Sequence, residues 1–196
     1  MTRAPIMILG ISTVLCTAIF FSVLMFGLVI APDSGIRAPA EVIHSAATSS
    51  DPVRLIIPTL SVNASVEFVG LTLRGTMGAP SAYAHAGWYG YGTAPGDLGS
   101  AVIDGHVDDG FSLPGVFAHL RDIKAGDDVY VETRGGRRLH FVVTGIEVYP
   151  HKDAPTDLIF GRADRARLNL ITCEGMWSRK DNTYGERLVV FTELRN

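Results

Sequence analysis

The chain has 196 residues, a formal net charge of −3 and 47% hydrophobic residues. That length suits one domain of roughly 100–150 residues with an additional segment. The near-neutral balance supplies no basic face of the kind nucleic acid demands, so no nucleic-acid partner is expected.

The additional segment is N-terminal. Residues 1–5 read as a short cytoplasmic end. From Ile6 to Ala31 no residue is charged, and only Ser12, Thr13, Thr17 and Ser22 interrupt the apolar run. At ~1.5 Å per residue this run outreaches the ~30 Å hydrocarbon core of a bilayer, so 6–31 is expected to be a single transmembrane helix. A cleaved signal peptide would have an apolar core of only ~7–15 residues and small residues at a nearby cleavage site. The one candidate, Ala38 to Ala40, lies well past the run and carries Pro39. Arg3 and the terminal amine favour an N-terminus inside the cell, which puts the rest of the chain outside the plasma membrane. Residues 32–52, rich in Ala, Ser and Pro, read as a flexible linker with a mean reach of ~25 Å. His44 within it reads as a solvated side chain.

Residues 53–196 read as a β domain. Val53–Leu60 is a short apolar run closed by Pro58, followed by Ser65–Leu71. Gly87–Ser100 is glycine-rich but lacks the lysine and serine or threonine of a phosphate loop, and reads as a surface loop. Ser100–His106, Asp127–Thr133, Arg137–Tyr149, Ala166–Thr172 and Arg187–Leu194 are each rich in β-branched or aromatic residues and bounded by Gly, Asp or Pro. Arg134–Gly136 predicts a hairpin turn. Two short helices are expected, one in Leu113–Ile123 with Pro114 near its start, one in Ala154–Ala166 with Thr156 as N-cap. Seven or eight short strands with one or two small helices predict an all-β, closed or nearly closed barrel.

Of the two cysteines, Cys16 lies in the apolar run and Cys173 ends the strand-like stretch "LNLITCEG", residues 168–175. Without a partner, Cys173 reads equally as a reactive thiol or as a small buried hydrophobe. A cysteine nucleophile needs a base or ion-pair partner and a donor for the developing oxyanion. Among six histidines, His106 follows a strand in a polar, glycine-containing stretch, where side chains emerge at a barrel rim. His85 and His119 read as packing or surface positions, His140 alternates within a strand, and His151 is the rival. Arginine suits the donor role because its planar fork stays charged. Arg187 opens the strand after the one that ends in Cys173, and consecutive strands are commonly neighbours. Taken alone it reads as a surface strand residue. Arg165, Arg167 and Arg179 read as solvated.

The stretches "AVIDGHVDD", "LNLITCEG" and "YGERLVVF", in that order, resemble the His, Cys and Arg segments of sortases. His106 precedes Cys173 by 67 residues and Cys173 precedes Arg187 by 14, which suits that family. "LIIPTLSVNASVEFVGL", "GWYGYGTAPGDLGSAVIDGHVD" and "PTDLIFG" extend the resemblance, which is greatest to class F sortases of actinobacteria and covers about Val53 to Leu194. The resemblance implies a membrane-anchored cysteine transpeptidase built on an eight-stranded β-barrel, with His106, Cys173 and Arg187 as catalytic set and Thr172 helping to hold the substrate. Thr172 reads equally as an ordinary strand threonine. It implies as partners secreted proteins bearing a C-terminal LPXTG-like sorting signal, cleaved between Thr and Gly, and an amine acceptor such as a peptidoglycan precursor. No cofactor is expected.

Asp104, His106 and Asp108 alternate and would share one strand face, yet without a further ligand they do not make a metal site, and no metal is expected. Asp153 and Asp157 do not match the calcium loops of some class A sortases. Asp104 is a departure, since the resemblance implies a small or apolar residue there. The alternative to an enzyme is a membrane-anchored extracellular β-barrel binding module with a buried structural cysteine. A cell-wall L,D-transpeptidase would keep His and Cys together in one motif, and a papain-like hydrolase would place its cysteine early at a helix start. Neither pattern is present.

Overall fold

A computed structural model describes residues 47–109 and 113–195. The expected cytoplasmic end, membrane helix and most of the linker lie outside the described residues, among which no helix is long and apolar enough to cross a membrane.

Eight strands form the domain: β1 (Pro52–Ile57), β2 (Val62–Val69), β3 (Ala86–Tyr89), β4 (Gly99–Gly105), β5 (Asp128–Thr133), β6 (Arg138–Pro150), β7 (Ala166–Ser178) and β8 (Thr183–Leu194). They close into a barrel in the order β1-β2-β3-β4-β7-β8-β6-β5. The expected eight-stranded β-barrel is therefore the fold. The period-2 pattern of each strand decides its faces. In β5, Val129, Val131 and Thr133 are buried while Asp128, Tyr130 and Glu132 point outward. Leu55, Ile57, Ile103, Phe141, Leu168, Leu170 and Val190 fill the interior together with Phe117 and Leu120 from the β4–β5 connection. A hairpin turn joins β5 to β6, with the Gly136 amide donating to the Thr133 carbonyl at 2.9 Å.

Two pairings are parallel, β2 with β3 and β4 with β7. Parallel neighbours need long crossovers, and the β4-to-β7 crossover carries β5, β6 and a short helix, α1 (Thr156–Phe160). Ile159 of α1 packs with Val102 of β4 and Val189 of β8 in a second apolar cluster on the outside of the barrel. The buried Asn169 side chain fastens α1 there, donating from Nδ2 to the Ile159 carbonyl at 2.6 Å. β7 is thus covered on both faces.

Four local expectations are corrected. Part of the glycine-rich stretch read as a loop is strand β3, held between β2 and β4. Leu113–Ile123 forms only one turn of 3-10 helix at Leu120–Asp122, because the Gly115 and Phe117 amides are spent on the Val107 and His106 carbonyls. Thr156 is the first residue of α1 and Pro155 occupies the N-cap. The end of the predicted linker is tied down, the Ser49 and Asp51 carbonyls accepting from the Gly135 and Arg134 amides.

Gly105, the last residue of β4, has no room for a side chain: a Cβ there would lie 2.5 Å from atoms of Phe117 and Val116. Gly105→Ala is expected to lower stability by ~1–3 kcal/mol through overpacking. An unchanged urea midpoint would refute that tight seat.

Candidate active site

The register of the outer barrel face sets the candidate residues in rows. Cys173 on β7 pairs directly with Arg187 on β8, and Arg187 pairs with Tyr149 on β6. On the other side, Asp104 of β4 pairs with Ile171 of β7. Continuing that register by two residues sets His106 level with Cys173. His106, just past the end of β4, thus falls in one row with Cys173 on β7 and Arg187 on β8, the last two paired directly about 4.8 Å apart. All three are half-buried. The next row is Gly87, Asp104, Ile171 and Val189. α1 covers Val189 of this row and Val102 beyond it.

Cys173 belongs to neither apolar cluster. Sharing the parity of Ile171, it faces the outer side of the barrel, where a substrate groove would lie, not the core, and it is free of any disulfide. The concavities of about 520 Å³ beside Trp88 and about 500 Å³ beside Asp164 lie elsewhere, lined by none of Cys173, His106 and Arg187. Burial pushes the Cys173 thiol above its ordinary value, Arg187 pulls it back down, and Asp104 and Asp108 push it up again. The resting group is therefore the protonated thiol.

His106 Nε2 lies 3.0 Å from the Pro80 carbonyl oxygen, which makes it the protonated ring nitrogen. The Tyr83 ring covers the imidazole at 4.7 Å between centroids. The Pro80–Tyr83 segment is held by Glu67, whose carboxylate accepts from the Ser81 amide at 2.9 Å and from its hydroxyl at 3.0 Å.

Arg187 is anchored along one edge. Its Nη1 donates to the Tyr184 carbonyl at 3.0 Å and the Glu186 carbonyl at 2.7 Å, and Nη2 to the Thr183 hydroxyl at 2.8 Å. A guanidinium has five N–H donors, so Nε and one Nη2 hydrogen stay available. Tyr184, three residues earlier, donates to Asp108 Oδ2, and its own pKa is raised to about 12, chiefly by that bond. This contact joins the loop after His106 to β8.

Of the two readings of Thr172, substrate contact or ordinary strand threonine, its position fits the second. It shares the inward face with Leu168 and Leu170, is 4% exposed, and donates from its hydroxyl to the Gly105 carbonyl at 2.8 Å. It joins β7 to the end of β4 and does not face the groove. His151, the rival histidine, follows β6 on the far side of Arg187 from Cys173, its amide bound to the Gly185 carbonyl. Burial, then Arg187, lowers its pKa. Among the described residues no group of three or more His, Cys, Asp or Glu side chains gathers to hold a metal. Tyr83, Pro80 and Tyr184 went unrecognised in the sequence, where no spacing signalled that a distant loop would cover His106.

A sortase-domain family model matches residues 55–195. The chain belongs to the sortase family. Similar solved structures include a lid mutant of sortase A from Corynebacterium diphtheriae (25% identity, 74% of this chain and 71% of that one, TM-score 0.56). Sortase C-1 from Actinomyces oris matches at 25% identity (74% and 76%, TM-score 0.56). Sortase A from Listeria monocytogenes matches at 22% (74% and 88%, TM-score 0.55). No curated protein matches. As a sortase the protein is a cysteine transpeptidase, and a barrel module with a merely structural cysteine is set aside.

One group in this sortase is out of place for a solvated carboxylate. Asp104 has its pKa raised to about 8 by burial. An acid whose folded pKa exceeds its unfolded value of ~3.9 costs the folded state stability as pH climbs between the two values, and the loss levels off above the folded one. Asp104→Asn should therefore gain thermal midpoint over wild type as pH rises from 5 to 8, with the gain flat above about 9. A constant difference would refute the raised value. The thiol supplies a second test. Its iodoacetamide alkylation should rise with pH to a midpoint above ~8.5, moved further up by Arg187→Gln and down by Asp104→Asn. A wild-type midpoint below 7 would overturn this picture.

Proposed function

We propose that this sortase cleaves an LPXTG-like sorting signal between Thr and Gly and transfers the threonyl acyl group to an amine, with Cys173, His106 and Arg187 as its catalytic residues. The row in which these three stand is the observation that carries the reading. Cys173 attacks the threonine carbonyl carbon while its proton passes to His106. Arg187, with Nε–H and one Nη2–H uncommitted, donates to the oxyanion or to the neighbouring peptide backbone. His106 then protonates the departing glycine amine as the C–N bond breaks, leaving a thioester on Cys173. An incoming primary amine attacks that thioester, its proton is taken by His106, and the thiol is restored. The bond energy of the cleaved amide is held in the thioester, so no nucleotide is consumed.

One apolar contact supports the substrate class. Ile171, half-buried two residues before Cys173 on the same face and backed by the covered Val102 and Val189, suits the leucine or proline of such a signal. The motifs shared with class F sortases of actinobacteria support that subgroup. The uncharged run from Ile6 to Ala31 supports a plasma-membrane anchor, with residues 1–5 inside, 32–52 as linker and 53–196 outside. There the partners would be secreted proteins with a C-terminal signal and an acceptor such as a peptidoglycan precursor.

The test is mass spectrometry of the full chain with an LPXTG peptide, with and without a small amine. A product carrying the amine in place of glycine is expected, and absence of cleavage would refute the substrate. Cys173→Ser and His106→Ala should abolish it while the fold survives. Near-normal turnover of His106→Ala would hand the role to His151. Arg187→Lys keeps the charge and loses the fork. Its kcat/KM should fall roughly a hundred- to a thousand-fold at unchanged thermal midpoint, and a value within about threefold of wild type would remove Arg187 from the site.

A further inference from the structure

Asp104 is the one carboxylate of the second row, and the chemistry just described does not use it. On its own strand the same face carries Val102 and His106. Across the sheet it meets Ile171 on one side and Gly87 on the other. Gly87 is hollowed out for it: a Cβ there would overlap Asp104 Oδ1 and stand 2.9 Å from Val69 and 3.1 Å from Pro80. Asp104 Oδ1 is buried and, among the described residues, has no hydrogen-bond partner. Leaving a buried polar group unpaired costs more than a hydrogen bond returns, so the resting enzyme holds an unmet acceptor in this row, with Asn169 Oδ1 a second one in the row below. The Asp104 acceptor lies about 7 Å along the strand from the Cys173 row, the length of two extended residues. Beyond Asp104 α1 closes the face over Val102 and Val189, so the carboxyl marks the inner end of the strip that runs down from Cys173.

We propose that Asp104 is a specificity-determining residue: the preferred sorting signal carries a hydrogen-bond-donating side chain among the three residues before its threonine, and this side chain docks on the Asp104 carboxyl. The inference rests on the sorting-signal reading above. A groove built to bond a donor rejects a substrate lacking it, because the acceptor then stays unpaired. In fully enclosed sites such rejection reaches ~10⁴–10⁵-fold, and a half-open groove is expected to show a smaller share.

The experiment uses the full chain and a peptide set in which each of the three residues before threonine is replaced in turn by Ser, Asn or Lys and by Ala, Leu or Met. At one position, wild type should turn over a donor-bearing peptide with kcat/KM about tenfold or more above its aliphatic counterpart. In Asp104→Ala that ratio should fall to within about threefold. Asp104→Asn keeps an acceptor but cannot ionise, so it should keep a hydroxyl or amide preference and, at about pH 9 where the wild-type carboxyl is ionised, lose an ammonium one. It also decides the matter if the alanine variant fails to fold. The same ratios in wild type and both variants, or no donor preference at any position, would overturn the assignment. Cleavage of none of the peptides would overturn the sorting-signal reading itself, and this inference with it.

Discussion

The parallel pairing of β4 with β7 is the constraint on which the site depends. These strands are separated in sequence by β5, β6 and α1, yet their register alone decides that His106 stands level with Cys173. A slip of one residue would turn Cys173 into the core and Thr172 into the groove. The Thr172 hydroxyl bonded to the Gly105 carbonyl fixes that register from the inner face, one residue from both reacting groups. Because Gly105 also admits Phe117 tightly against it, the strand end is located by packing as well as by hydrogen bonding. Cys173 and Arg187 are then aligned by the antiparallel β7–β8 pair without further help.

Around the thiol, charges of both signs are balanced. Burial and two carboxylates oppose ionisation, and Arg187 favours it. Arg187 is itself held by backbone carbonyls of its own strand end, so its position does not depend on the thiolate. A substrate that brings a carbonyl between sulfur and guanidinium gives the developing negative charge a partner already in place. Reorganisation at the moment of reaction is small, which is where preorganised donors are most effective.

Much of this was legible in the sequence, through alternation. Leu168, Leu170 and Thr172 share one parity and Asn169, Ile171 and Cys173 the other, so the groove face of β7 follows from the letters. The same parity on β4 groups Val102 with Asp104. What alternation could not give was β3, four residues long and rich in glycine and aromatics, which exists because β2 and β4 flank it. Nor could it reveal that Phe117 and Leu120, spaced as on a helix, plug the barrel from an irregular segment. The loop over His106 was hidden for a third reason: Pro80 and Tyr83 are ordered by Glu67 on a distant strand, a contact with no local signature. Membership in the sortase family was readable from three ordered motifs.

The protonated resting thiol has a consequence for durability. Peroxides and disulfides attack thiolate far faster than thiol, so damage to a cysteine follows its thiolate character and exposure. A half-buried nucleophile whose ionisation is opposed by burial offers oxidants little to react with between turnovers. With Cys173 the sole cysteine of the β domain, no neighbouring thiol could rescue a sulfenic acid by closing a disulfide. Keeping the sulfur masked at rest is then the protection the fold itself provides.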